Sequence, residues 1–515
     1  MTKVIINDWS GGLGEDIREF KTNTFAKSKN FDIKAYSNKI VPYNGILEQA
    51  QNGNTYSNGA VITTLSSGTQ RLAFLGASDS TNYYPRFYGK ADAALTSTIV
   101  GYIGGDPTII GYKVAFGTLV SYKNKLICMG YSSTDVKMYS YDGATVTFAT
   151  VGTISAYPTN ISIPNIPKPF RHPADDILYC AAGNVVAANN NGSFTAAALT
   201  LPSDCWITSL TDYGNYLAIA TAPRNAGGRS RVFLWNRDTS QTTVSEVIDF
   251  GEGDLKVLEN VGGSLVGILI ASSDYVIKKQ LRLYVYTGGS PELVKNITGS
   301  EYSGTGEGSV QLRLNIFKAK KGEELYFSAE FPVGGELLNQ IWVAGKNRSG
   351  QWYLSPDRYV NGTTDIDTIN GFDFIGDHMF VGFDSGSFYR TYALGDVVSS
   401  SVYQQATLDT LINPKMFVED RDKKKQLKSI SLTTTEGGTF TVSYSVDGGE
   451  FVNILSETIA ANTTKEAARE ADGKPLKTGR EFQFRLHVAS QAVSTGEPDI
   501  SEFAYKYDVI NSINE

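Results

Sequence analysis

Two hydrophobic rhythms divide the chain. From Val61 to about residue 400, one unit recurs: an apolar strand, a turn, a second apolar strand, a polar loop and an aromatic-rich strand. The clearest copy is SLTDYGNYLAIATAPRNAGGRSRVFLWNRDTS, Ser209 to Ser240. Within it, Tyr216, Ala218 and Ala220 alternate with Leu217 and Ile219, which predicts a strand buried on both faces. Gly227-Gly228 supplies the next turn, and RVFLWNRD, closed by Asp238, reads as the outer partner. Similar copies begin near Val61, Leu119, Pro169, Val257, Lys318 and Ile366, giving seven starts in all. Successive starts lie 40 to 61 residues apart, near the roughly 40–50 residues of a four-stranded propeller blade. A lone blade leaves both faces wet, whereas a closed ring buries them. The pattern therefore predicts a β-propeller of about seven blades.

After Ser400 the rhythm becomes strict period two. Phe440, Val442, Tyr444 and Val446 point one way, with Thr441, Ser443 and Ser445 the other. Phe482, Phe484, Leu486 and Val488 repeat the pattern, as do Phe503, Tyr505, Tyr507 and Val509. Half-buried antiparallel strands of this kind make a β-sandwich. Asp447-Gly448-Gly449 reads as a hairpin turn. The segment NTTKEAAREADG, Asn462 to Gly473, fits either one short helix, capped by Thr and stopped by Gly473, or a long projecting loop. Residues Met1 to about Gly45 alternate poorly and are broken by Pro42 and Gly45, which reads as an extended arm. The expected division is an arm over 1–50, a propeller over 51–400 and a sandwich over 401–515.

Composition agrees with an all-β protein: 51 Gly, 29 Tyr and 25 Phe sit among many Ser and Thr. The 515 residues allow two or more domains. Charge is mildly acidic, with 46 Lys and Arg against 53 Asp and Glu. That balance offers no basic excess for reading phosphates, although an acidic wall suits a DNA conduit, because like charge prevents sticking. Cys128, Cys180 and Cys205 form no CxxC pair and read as buried reduced thiols. The start of the chain carries no apolar signal region, and no run of about 18 apolar residues occurs. The expectation is a protein made in a reducing cytoplasm, with no membrane contact.

NDWSGG places Asp8 where furanosidases of the invertase type carry Asn-Asp-Pro-Asn-Gly, whose aspartate attacks the sugar. Those enzymes also join a propeller to a sandwich. Here Trp9 and Ser10 replace the Pro and Asn. The Arg-Asp pairs Arg237-Asp238 and Arg421-Asp422 are followed by Thr239 and Lys423 rather than Pro, and no cysteine follows a Glu. A retaining glycosidase needs two carboxylates about 5 Å apart, and most of that set is missing. SYSVDGGEF matches a sialidase Asp-box at Ser445, Asp447 and Gly449, but Val452 stands in place of the Trp, so a plain hairpin is expected. His172, His378 and His487 are not spaced for zinc. His487 falls on the polar face of its strand, and His172 and His378 at blade edges. The run Glu419 to Ser429 reads as a solvated loop or a lysine-protected edge strand that can dock a neighbour. Asp384 to Ser387 is the best calcium-like loop, without an EF-hand pattern. The aromatics of Tyr83 to Tyr88 fit core packing, with sugar stacking as the alternative. No catalytic, cofactor-binding or metal-ligating residue is assigned.

The two ends carry a resemblance. The N-terminal DWSGGLGEDIREFKTNTFAKSKNFDIKAYSNKIVPYNG resembles the start of phage tail-associated propellers. KSISLTTT, FTVSYSVDGGEF, GREFQFRLHV and EPDISEFAYKYDV together are similar to the sandwich that follows the propeller in tail-nozzle proteins, also called tail tubular or packaged-DNA-stabilising proteins. The resemblance implies a structural virion protein of a tailed bacteriophage, without enzyme activity or cofactor. It implies a homo-oligomeric ring, six copies being usual, below the portal and adaptor. Such a ring continues the DNA channel, helps to retain the genome until ejection and docks fibres or other tail parts, with the DNA passing through unread. The arm and sandwich would supply subunit and adaptor contacts across a head-to-tail interface. Glycan or receptor binding by the propeller face, and invertase-like hydrolysis, are the alternatives.

Overall fold

In the computed structural model the described residues are built from β-strands. It describes residues 1–8, short pieces between 12 and 88, and, with breaks, residues 113–154, 166–298, 317–359, 368–394 and 402–510.

Seven antiparallel sheets follow one another along the chain. The first holds Ala60–Thr64, Gln70–Ala77 and Tyr83–Tyr88. The second runs from Lys113–Val114 and Val120–Tyr122 through Lys125–Tyr131 and Val136–Tyr141 to Ala149–Ile154. The third is Phe170–Arg171, Leu178–Ala182, Val185–Asn190 and Ser193–Thr200. The fourth is Cys205–Tyr213, Tyr216–Pro223, Arg229–Trp235 and Glu246–Glu252. The fifth is Asp254–Val261, Ser264–Ser272, Lys279–Tyr286 and Glu292–Thr298. The sixth is Lys318–Lys321, Glu324–Val333, Glu336–Lys346 and Trp352–Tyr359. The seventh is Thr368–Ile375, His378–Asp384 and Phe388–Leu394, with Leu47–Gly53 as its fourth strand. These are the blades of a propeller, and each begins within a few residues of its expected start.

Blade 4 shows why the pattern folds this way. Leu217, Ala218, Ile219 and Ala220 are all fully buried. Leu217 and Ile219 pack toward Tyr179 and Ala181 of blade 3. Ala218 and Ala220, on the opposite face, pack toward Leu255, Leu258, Leu265 and Leu269 of blade 5. Period two thus splits one strand between two seams. Each large aliphatic side chain so buried contributes roughly 1.5–3 kcal/mol. RVFLW is the third strand rather than the outermost, which is Glu246–Glu252 with its alternating exposure. The ring closes where Thr368–Ile375 packs against Ala60–Thr64. Leu47–Gly53 then pairs antiparallel with Phe388–Leu394, Gly53 opposite Phe388 and Leu47 opposite Ala393. A ladder of backbone hydrogen bonds, not packing alone, therefore joins the early chain to the last blade.

The C-terminal strands form the expected sandwich. One sheet is ordered Thr2–Ile6, Glu502–Val509, Lys425–Thr434, Thr463–Ala467. The other is ordered Gly12–Leu13, Thr24–Lys29, Ala406–Thr410, Phe482–Val488, Gly438–Val446, Val452–Ile459. Phe440, Val442, Tyr444, Phe482, Phe484, Leu486, Val488, Phe503, Tyr505 and Tyr507 are all buried between them. Phe484 meets Phe503 at 5.1 Å and Tyr505 at 4.8 Å across the gap. Asp447 and Gly448 turn the expected hairpin at φ 50° and 74°.

Three expectations are corrected. Within the expected arm, the described strand Thr2–Ile6 belongs to the sandwich, paired Thr2 to Tyr507 and Ile6 to Phe503, and Leu47–Gly53 belongs to the propeller. Short strands that complete other parts of a fold show no periodicity of their own. Asn462 to Gly473 is neither helix nor long loop. The β-branched Thr463 and Thr464 pair with Thr434 and Thr433, and Gly473 turns the chain back at φ 85°. Lys425–Thr434 is an interior strand, not an edge, flanked by Glu502–Val509 and Thr463–Ala467. The Lys425 side chain is buried and donates to the carbonyls of Lys423 at 2.6 Å and Arg480 at 2.8 Å.

Candidate functional site

The first strand of each blade lies innermost, so polar residues on these strands converge near the axis. Three consecutive inner strands meet at Lys318. Its ammonium donates to the carbonyl of Leu210 (blade 4) at 2.8 Å and of Leu258 (blade 5) at 2.6 Å. It also pairs with Glu259 Oε2 at 2.9 Å, where the lysine side chain is 12% exposed. Glu259 Oε1 accepts from the Thr211 hydroxyl at 3.0 Å. Asn260 donates to Asp212 Oδ2 at 2.8 Å. Thr208 and Ser209 add hydroxyl bonds to the carbonyls of Leu255 and Leu258, at 2.5 and 3.0 Å. Further round the ring, Lys168 holds Asp373 of blade 7 at 2.5 Å.

Burial pushes the Lys318 ammonium below the usual lysine range, and the Glu259 carboxylate offsets part of that. The arrangement is self-neutralising. Both oxygens of Glu259 have donors, as do both of Asp373, and Asp212 has one. Such a cluster cross-links inner strands, and a carboxylate engaged in this way is poorly placed to give or take a proton at a substrate.

A second polar cluster joins blades 3 and 4. His172 is fully buried, with Nε2 3.1 Å from the Tyr216 carbonyl and Nδ1 accepting from the Ala174 N–H at 3.2 Å. Arg237 lies 2.7 Å from Nδ1. Arg237 also pairs with Asp175 at 2.8 Å, and Asp175 accepts from the Tyr179 hydroxyl at 3.0 Å. Burial holds the His172 pKa below its ordinary 6.5, the Tyr216 carbonyl opposes that shift, and the Arg237 charge adds to it.

The residues singled out in the sequence do not assemble into one site. Asp8 follows the sandwich strand Thr2–Ile6. Arg237 belongs to the inter-blade cluster, while Asp238 caps its own loop by accepting from Ser240 at 2.6 Å. His172 is an interior residue rather than an edge one, because the loop after Phe170–Arg171 folds under Tyr216. His378 opens an interior strand of blade 7. His487 is half-buried rather than solvated, opposite Thr407 and Thr441 on the flanking strands, and burial and Arg485 both lower its pKa. Ser445, Asp447 and Gly449 form a hairpin in which the Ser445 hydroxyl donates to the Gly449 carbonyl at 2.5 Å. Tyr83–Tyr88 is the third strand of blade 1. Arg421 and residues 385–387 lie outside the described residues, as do the side chains of Tyr83 to Tyr88. Cys128, Cys180 and Cys205 are buried free thiols. Among the described residues, no group of three or more His, Cys, Asp or Glu is placed to hold a metal ion.

Sequence reasoning missed the axial cluster. Its signal was present as polar residues inside otherwise apolar strand runs for two blades, Thr211-Asp212 in SLTDY and Glu259-Asn260 in VLENV; Lys318, in the basic KAKK, carried no such signal.

No protein-family model matches the sequence, and no curated protein does. Some solved structures are similar at low TM-score. The C-terminal WD40 domain of Sif2 is 11% identical, with 69% of this chain and 99% of that one covered and a TM-score of 0.40. YCF48 bound to D1 peptide is 10% identical, with 69% and 96% covered and a TM-score of 0.40. A glycoside hydrolase family 43 arabinoxylan arabinofuranohydrolase from Bacillus subtilis is 11% identical, with 90% and 96% covered and a TM-score of 0.29. Likeness this distant says nothing of activity. Sheet order and seam packing make this chain an all-β propeller protein with an appended sandwich.

Proposed function

We propose that this chain is a structural subunit of a tailed-phage particle. It would act as a nozzle or hub ring subunit that continues the DNA channel, helps to retain the genome and docks other tail parts. The observation that supports this reading is the double stitching of the chain. The first strand completes a sheet of the sandwich, and the strand at 47–53 completes the last propeller blade. Strands Gly12–Leu13 and Thr24–Lys29 run beside Trp352–Tyr359 of blade 6, so one segment ties both bodies together. A part that transmits load within a ring benefits from that stiffness, and its many surface loops offer docking positions. A ring of such subunits uses unlike surfaces head to tail. The resemblance at both chain ends points the same way. The hydrolase alternative has against it the carboxylates of Glu259, Asp212 and Asp373, which are engaged in internal bonds.

The test is quantitative peptide mass spectrometry of purified particles of a phage that encodes this chain. About six copies per particle would support a tail ring. Hundreds of copies would indicate a shell or tube decoration instead. Absence from the particle would overturn the reading and make hydrolysis of arabinan and fructan the next assay.

A further inference from the structure

The seam between blades 2 and 3 is apolar along most of its length. Ile127, Met129, Val136 and Met138 of blade 2 pack against Leu178, Cys180, Val185 and Ala187 of blade 3. At one end the seam changes character. Beyond Ile127 the side chains become Lys125, Ser140 and Thr150, and the turn at Asn191 faces them from blade 3. Together with Ile127 and Val151 they line a cleft of about 180 Å³. That is smaller than the roughly 300–1,000 Å³ of pockets for drug-sized ligands, and it suits about one sugar ring.

The cleft is preformed. The Tyr122 hydroxyl donates to the Asp176 carbonyl at 2.9 Å and accepts from the Asn191 N–H at 3.3 Å, which fixes the facing turn. Asn189 Oδ1 accepts from the Gly192 N–H at 2.8 Å and holds the same turn. The neighbouring Lys123 is committed to Asp176. Lys125 is not: among the described residues its ammonium has no acidic partner, and the side chains of Ser140, Thr150 and Asn191 likewise have no hydrogen-bond partner. One cation, two hydroxyls and one amide thus line the same cleft as Ile127 and Val151.

We propose that this cleft binds a single carboxylate-bearing sugar, such as a uronic or sialic acid unit of a surface glycan. Lys125 would take the carboxylate, and Ser140, Thr150 and Asn191 the ring hydroxyls. Ile127 and Val151 would meet the C–H face. A bare carboxylate would leave the neutral donors and the apolar lining unused. The inference does not depend on where the protein sits in a particle.

The test uses the full chain with four probes: methyl glucuronide, the methyl glycoside of N-acetylneuraminic acid, methyl glucoside and acetate. Binding is read by saturation-transfer NMR and titration calorimetry. At least one acidic sugar should bind, and Lys125→Met should weaken it about tenfold or more, the loss of one charge-assisted hydrogen bond. Asn191→Asp should weaken it too, by adding a like charge. Asn191 has φ 48°, a conformation Asp also tolerates, so this variant should keep the fold. Methyl glucoside or acetate binding as tightly as the acidic sugars would overturn the proposal. So would no binding by either acidic sugar, or binding that both variants leave unchanged.

Discussion

Lys318→Met tests whether the axial cluster holds the inner strands of three blades together. In the native chain the ammonium sits 2.9 Å from Glu259 Oε2 and within 2.8 Å of two carbonyls from different blades. Glu259 is 8% exposed. Removing the lysine leaves that carboxylate buried, with the Thr211 hydroxyl at 3.0 Å as its remaining donor in the cluster. Removing one partner of a buried pair costs about 3–5 kcal/mol, most of it the stranded charge. The carbonyls add less, because both residues already lie in sheet ladders. Glu259→Gln should cost less, since the amide still accepts from Thr211 and Lys318 keeps its two carbonyls. The double variant should be milder than the sum of the two, with a coupling of about 1–3 kcal/mol. The assay is urea unfolding followed by tryptophan fluorescence. Trp235 and Trp342 are fully buried in blades 4 and 6, so the signal reports on the propeller. Lys318→Met within about 0.5 kcal/mol of the parent, the scale of ordinary surface substitutions, would refute the reasoning. Strict additivity of the two substitutions would refute it as well.

Three further outcomes are expected. Burial lowers the His172 pKa in the folded chain, so the unfolded chain binds more protons as pH falls below about 6.5; stability should drop with acid in that window, and His172→Gln should flatten the decline in urea midpoints. Ile6→Ala removes a 3% exposed side chain from the sandwich core, and should destabilise by about 2–4 kcal/mol and expose the chain start to limited proteolysis. Burial pushes the Cys128 and Cys180 thiols up, so a thiol reagent should leave both unmodified in buffer yet label them fully in denaturant; labelling of Cys180 in buffer would contradict the packing of the seam between blades 2 and 3.

Much of this fold was legible as pattern. Strands such as Tyr216–Pro223 are apolar on both faces because a blade is sandwiched between two neighbours, and that requirement is written locally in each repeat. The alternation of Phe482 to Val488 likewise declares one wet and one dry face. The roles of the N-terminal fifty residues were not legible. Thr2–Ile6 and Leu47–Gly53 are single strands whose hydrogen-bond partners lie hundreds of residues away, and a strand that completes a distant sheet needs no periodicity of its own. The same holds for Asn462 to Gly473, where helix-favouring Glu and Ala yield to an available sheet edge beside Ile430–Thr434. The axial cluster was hidden for a related reason. Lys318, Glu259 and Thr211 are ordinary polar residues in their own strands, and only the closing of the ring brings three inner strands within hydrogen-bonding distance. The sequence by itself determined which segments are strands and which faces they bury, because those depend on neighbours along the chain. The tertiary structure decided which strands share a sheet and which charges meet, because those depend on how the ring closes.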